Sequence, residues 1–193
     1  MTMKHPAALG AVLLALLGPS GAHAEPVIYA IDPTHTFVTF ESLHFGTSTN
    51  RGRFDKKQGT VVFDRAAKTG KVELTIETGS VNTGVGPFNQ HLTGKDFFRS
   101  DEFPTATFKS DDFQFDGDKL SEVAGTLTLL GKTHPVVLKA SNFNCYQNPM
   151  LKREVCGGDF ETTIQRSQWG ITYALPVQPD NIRLLVQVEA VRQ

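Results

Sequence analysis

Four histidines are the residues here with most to offer chemically: His35, His44, His91 and His134. Two more, His5 and His23, fall in the N-terminal leader. A histidine group can ligate a metal or contact a polar head group at a cavity mouth. The plainer reading is that each bonds backbone locally at a strand end. No Cys or carboxylate cluster in the sequence completes a metal shell around them. His35 and His44 sit on opposite faces of a regular strand, and only a bulge would bring them together. Asp96, Asp101 and Glu102 could form a polar rim, or Asp96 could cap a short helix. Trp169 could stack on a ligand or pack in the core. Arg166 stands at a strand end, where pairing with a surface carboxylate is the expectation. The chain has no G-x-S-x-G, H-E-x-x-H, P-loop or dinucleotide fingerprint. No catalytic residue and no metal ligand is therefore assigned, and the chain is read as a non-enzyme.

The elements that must position these groups read as strands. Lys71–Glu77 alternates cleanly, with Val72, Leu74 and Ile76 on one face and Lys71, Glu73, Thr75 and Glu77 on the other. Leu184, Val186 and Val188 repeat that pattern near the C-terminus. One wet face per strand fits an antiparallel sheet. Short turns such as DRAAKTG, DGDK and GKTH join about eight to ten strands, GTSTN reads as a loop, and no βαβ spacing appears. Periodicity alone leaves both a sandwich and a barrel open. Val85–Ser110 is the exception. Pro87 suits a first helical turn, and Phe88, His91 and Leu92 share a helical face. Gly94 divides the stretch, so two short helices are expected, near 87–93 and 95–99, covering one end of a barrel.

The first 24 residues look like a cleaved signal peptide. Lys4 and His5 precede the apolar run Ala7–Leu17, and Ala22-His23-Ala24 makes an A-x-A cleavage site. Export to a periplasm follows, with residues 25–193 as one domain and no permanent membrane anchor. With 19 basic and 20 acidic residues the net charge is −1, and losing Lys4 makes it −2. Nothing in that balance favours nucleic acid. Cys145 and Cys156 are the only cysteines. In an oxidising compartment they are expected to form a disulfide across an otherwise floppy polar loop. Phenylalanine is abundant, at 14 residues. Phe-rich alternating strands fill either a packed core or an apolar cavity.

The blocks IDPTHTFVTF, HLTGKDFF with EFPTATFKS, GTLTLLGKTHPVVL and IQRSQWGI occur in an order that resembles the YceI-like family of exported lipid-binding proteins. The resemblance runs from Tyr29 to about Ala190. It implies an all-β, extended lipocalin-like antiparallel barrel of about eight strands with a short helical segment. It implies an apolar lumen holding a polyisoprenoid chain, such as a polyprenyl phosphate or a quinone tail, with no other cofactor. Each buried isoprene unit would contribute roughly 3–4 kcal/mol gross. The candidates for lining the lumen or its lid are Phe37, Phe45, Phe88, Leu92, Phe97, Phe108, Leu127, Leu129 and Trp169. His35, His44 and His91 are the polar rim candidates. Where relatives commonly carry an Arg-Asp pair before the His-Leu of the lid, this chain has Phe88-Asn89. Leu130 replaces a histidine before the turn glycine. Both changes make the region more apolar. Three functions remain to be separated: a periplasmic lipid carrier, an enzyme acting on such a lipid, and a stress-response interaction protein with a solid barrel. A homodimer is left open.

Overall fold

The computed structural model describes residues 25–193. The leader expected over residues 1–24 lies outside the described residues. In chain order the strands are β1 (Val27–Ile31), β2 (Phe37–His44), β3 (Ser48–Phe54), β4 (Lys57–Asp64), β5 (Thr69–Glu77) and β6 (Val81–Asn82). Helix α1 (Gly86–Thr93) follows. The chain then runs through β7 (Thr105–Asp116), β8 (Lys119–Leu129), β9 (Lys132–Asn148), β10 (Arg153–Gln165) and β11 (Asn181–Arg192).

Three pairs of these strands are halves of single long ones. β1 and β2 both lie antiparallel to β11, with Ile31 opposite Ala190 and Phe37 opposite Gln187. β3 and β4 are separated only by Asp55 and Lys56, and β5 and β6 only by the 3₁₀ turn Thr78–Ser80. Joined this way, the strands make a closed antiparallel barrel of eight. β1 closes it by bonding β4 on one side and β11 on the other. Closure leaves no free edge along that part of the sheet.

The alternation in the sequence decides which side chains face inward. Val72, Leu74 and Ile76 line the lumen, as do Leu184, Val186 and Val188. Outward residues form ion pairs, for example Lys109–Glu73 at 2.9 Å and Arg51–Glu41 at 2.7 Å. One bulge matters for the lumen. Between Lys109 and Asp112 the pairing with β8 shifts, and the Ser110 hydroxyl donates to the Ala124 carbonyl at 2.6 Å. The pairing lapses at Ser110 and Asp111 and resumes with Asp112 opposite Ala124, which re-aims the row beyond it.

Several expectations at element ends change. GTSTN is mostly strand, with only Phe45–Thr47 left as the β2–β3 turn. The turn between β8 and β9 is Leu130-Gly131, both in the left-handed region, and Lys132 already pairs with Leu129. The cysteine segment is no loop. β9 and β10 run on as a hairpin past Cys145 and Cys156, which face each other and are disulfide-bonded. Its polar residues had suggested a flexible loop, but they alternate and so face water from a strand. Only the first expected helix forms; residues 95–98 are turns. Gly94 interrupts the helix there, with its amide bonded back to His91.

The break between β1 and β2 is tied by Asp32. Its carboxylate accepts from the Thr34 amide at 2.8 Å and the Thr34 hydroxyl at 2.6 Å, and His35 Nδ1 lies 2.8 Å away. Partial burial pushes the Asp32 carboxyl up, but the bonds from Thr34 and His35 outweigh it and hold it at about 2. The same bond raises His35 above its ordinary value. The Asp32 contribution to stability is therefore complete above about pH 4 and is lost as pH falls toward 2. The His35 contribution is complete below about pH 6.5 and is lost as pH rises through its raised value. Urea unfolding of wild type and Asp32→Asn should differ most near pH 5. The difference should shrink near pH 2, and equal differences at both would refute the assignment.

Candidate functional site

The strand directions give the barrel two unlike ends. One end carries the β2–β3 turn, α1 with the turns that follow it, the β8–β9 turn and the long β10–β11 connection. The other carries both ends of the described chain and the remaining hairpins. The lumen holds a cavity at each end. The larger, about 320 Å³, opens at the helical end. It falls within the usual range for small-molecule sites, roughly 300–1,000 Å³. The smaller, about 80 Å³, lies deeper and is walled by side chains such as Ile31, Phe63, Phe113 and Phe143.

The two cavities share inward rows. On β11, Ile182 and Leu184 line the larger, and Val186, Val188 and Ala190 the smaller. On β5, Ile76 lines the larger and Leu74 and Val72 the smaller. Phe108 of the smaller pairs directly across the sheet with Leu127 of the larger. The two cavities thus lie one above the other along the same inward rows, with no lining residue in common. From Ile182 to Ala190 the inward row of β11 spans about 26 Å at ~3.3 Å per residue.

Seven of the sequence candidates meet at the larger cavity: His44, Phe88, His91, Leu92, Phe97, Leu127 and Leu129. Helix α1 brings three of them. Pro87 starts it, and the i, i+3, i+4 spacing turns Phe88, His91 and Leu92 toward the lumen. Leu92 is buried. His91 meets the Phe97 and Tyr173 rings edge-on, with centroids 5.0 and 5.3 Å away. Asn89 has a structural role, since its side-chain oxygen accepts from both the Thr83 amide and the Thr83 hydroxyl at 2.7 Å. It thereby holds the chain entering the helix.

Five candidates lie elsewhere. Phe108 lines the smaller cavity rather than the lid region. Phe37 is on the outer wall under Arg53 and Lys57, at 5.5 and 4.9 Å from its ring centroid. Strand parity is the reason: Val38 and Phe40 face in, so Phe37 faces out. Phe45 sits at the tip of the β2–β3 turn and is 59% exposed. Trp169 is 1% exposed and does not line the lumen; its Nε1–H donates to the Leu127 carbonyl at 3.1 Å. His35 is exposed and tied to Asp32 as described. His134 packs edge-on against Trp169. Glu102 pairs with Arg99, and no second helix forms for Asp96 to cap.

Arg166 corrects another expectation. It is buried, lines the larger cavity and forms no ion pair among the described residues. Its guanidinium instead donates to the carbonyls of Pro179, Ile171 and Tyr173, at 3.0, 3.3 and 2.9 Å. Burial lowers its pKa, partly offset by the Asp180 charge. It latches the β10–β11 connection over the mouth. Sequence reading also missed Phe40, Phe98, Ile164, Ile171, Tyr173 and Ile182, all of which line the cavity. Phe40 and Ile182 were within reach, because each is in step with an inward residue two positions along its strand. Phe40 has room because Gly52 stands opposite it; a Cβ there would lie 2.4 Å from the ring.

The polar groups of the cavity are Ser42, His44, Asn50, His91, Arg166, Tyr173 and Gln178, all toward the mouth. Among the described residues, neither the His44 nor the His91 ring hydrogen-bonds another side chain. A nucleophile–base pair needs such an orienting contact. The one group of close metal-ligand atoms among the described residues is Cys145, Glu154 and Cys156. Its two sulfurs are bonded to each other.

A closed eight-stranded antiparallel barrel, apolar inside and polar at one mouth, is an extended lipocalin-like barrel. The YceI-like domain family matches residues 29–190, and the chain belongs to that family. Protein YceI of Salmonella arizonae is 35% identical over 188 residues, covering 96% of this chain and 97% of that one. Among solved structures, Burkholderia cenocepacia BcnA superposes with a TM-score of 0.68 at 25% identity, over 83% of this chain and 99% of that one. A Campylobacter jejuni YCEI protein gives 0.68 at 27%, over 78% and 89%. A domain from Saccharophagus degradans described as polyisoprenoid-binding shares the fold, with a TM-score of 0.62 at 18% identity, over 86% and 99%. Among the described residues, no helix is long and apolar enough to cross a membrane.

Proposed function

We propose that this protein is a periplasmic carrier that holds a polyisoprenoid or similar long-chain lipid in its lumen. The continuous inward rows of β5 and β11 carry this reading. They line both cavities with apolar side chains, and polar side chains stand only at the mouth. A polyprenyl phosphate or a quinone fits that polarity, its tail running inward and its head meeting the ring of Arg166, His91 and Gln178. The description of the Saccharophagus degradans domain supports the same ligand class. Burying the tail is favourable by roughly 25 cal/mol per Å² of apolar surface, offset in part by ordering the chain. Binding without catalysis is favoured because no histidine at the mouth has an orienting partner.

Native mass spectrometry of protein purified after expression of the full chain tests this reading. A lipid adduct is expected, or uptake of a polyprenyl phosphate or ubiquinone added to stripped protein, at one lipid per chain. Stripped protein that takes up neither would refute it. The same spectrum checks the leader, since export with cleavage after Ala24 predicts a chain beginning at Glu25.

A further inference from the structure

We propose that the mouth of the barrel docks against the surface of a neutral, zwitterionic lipid bilayer. The proposal rests on the carrier reading and adds where the lipid is exchanged. Its basis is the distribution of charge. A fifth of the chain is charged, yet residues 42–50, 78–94 and 167–179 contain no Asp, Glu, Lys or Arg. These are the β2–β3 turn, the approach to α1 with the helix itself, and most of the β10–β11 connection. They are far apart in sequence, and the fold brings them around one opening: His44, His91 and Gln178, one from each, line the same cavity.

Their exposed residues include large apolar side chains among uncharged polar ones such as Thr47, Gln90 and Thr172. Phe45, Val85, Tyr173 and Val177 are 59, 55, 47 and 65% exposed. Phe45 also holds a left-handed backbone conformation (φ 50°) at the turn tip, unusual for a bulky side chain, with its ring edge-on to that of His44. The charges at this end lie in the turns after α1 and at the start of β9: Lys95, Asp96, Arg99, Asp101, Glu102 and Lys132, three of each sign. The opposite end has no comparable set of charge-free segments among the described residues. Its turns carry Asp64, Arg65, Lys68, Asp116, Asp118 and Lys152, and Lys68 pairs with Asp118 at 3.0 Å.

Three uncharged segments with exposed apolar side chains, set around an apolar lumen, complement a bilayer interface. Aromatic and aliphatic side chains enter the headgroup boundary, and these three segments bring no fixed charge with them. The absence of Lys and Arg from these three segments argues against recognition of anionic lipid, which uses basic clusters. Docked mouth-down, the barrel could pass a chain between lumen and membrane without exposing it to water.

Flotation with phosphatidylcholine vesicles, and transfer of a fluorescent polyprenyl phosphate between such vesicles, test the proposal. Wild type should float with the vesicles, and transfer should accelerate with vesicle concentration. The double variant Phe45→Asp, Val177→Asp should slow transfer at least about tenfold. Its uptake of the probe from dilute ethanol should stay unchanged, since neither residue lines the lumen. Met150→Asp, at the other end, should behave as wild type. Added phosphatidylglycerol should bring no gain. Equal transfer by wild type and the double variant would overturn docking, as would transfer independent of vesicle concentration. Flotation only with membranes that retain their proteins would overturn it too, and would point to a protein receptor. If no form takes up the probe from ethanol, the carrier reading fails instead, and flotation alone then decides docking.

Discussion

Trp169→Ala will destabilise the barrel by about 3–5 kcal/mol, the usual cost of removing a fully buried aromatic side chain. Trp169 is the largest of the fully buried side chains. It lies behind the cavity wall, packed against His134, and donates its indole N–H to the Leu127 carbonyl. The change leaves a hole and removes a bond that ties the β10–β11 connection to β8. For a domain of this size the melting temperature should fall by roughly 6–20 °C. Trp169→Phe separates the two contributions. It keeps much of the volume and loses the donor, so a smaller cost is expected. Urea denaturation of the three proteins measures this. A loss under about 1 kcal/mol for Trp169→Ala would mean that the residue is not the core anchor described above.

Ala106→Phe will block the lumen. Ala106 is buried on β7, faces the larger cavity and pairs across the sheet with Ile76, which also lines it. A phenyl ring projected there occupies space that the lipid chain would need. Uptake of a polyprenyl phosphate should fall at least about tenfold, because displaced isoprene units each lose their burial. Stability should change by no more than about 1–3 kcal/mol, the range for overpacking, since the ring enters a cavity rather than a filled core. Fluorescence titration with a labelled polyprenyl lipid, beside urea unfolding, reads both effects. Unchanged affinity in a folded variant would place the ligand outside this cavity. The two substitutions thus separate wall from lumen: Trp169→Ala weakens the wall, and Ala106→Phe fills the space it encloses.

Much of the lumen was legible because strand parity is a local property. Once Val72, Leu74 and Ile76 alternate with charged neighbours, their shared face follows from the two-residue repeat. Helix α1 was legible for a similar reason, with Pro87 at its start and three inward residues at helical spacing. The failures came where parity had to be assigned without a polar partner. Phe37 and Phe40 lie on opposite faces of one strand, yet both faces carry apolar groups, so sequence could not say which was the wall. Phe45 looked like a lining residue by type, but it falls where the strand ends in a turn. Arg166 was misplaced because its partners are three loop carbonyls 5 to 13 residues further along the chain, contacts that side-chain types cannot reveal.

The sequence by itself determined an antiparallel all-β chain, the helix that starts at Pro87, the order of family motifs and the inward rows of β5 and β11. These depend on repeats of two or 3.6 residues and on turn chemistry within a few positions. Only the tertiary structure decided that β1 meets β11, that broken strands continue one another, and that three charge-free segments surround one mouth. Those facts depend on pairings between residues as distant as Tyr29 and Arg192. Nothing local distinguishes a closed barrel from a sandwich, because both satisfy the same alternation. Closure alone turns the inward faces into a lumen with a position for each side chain.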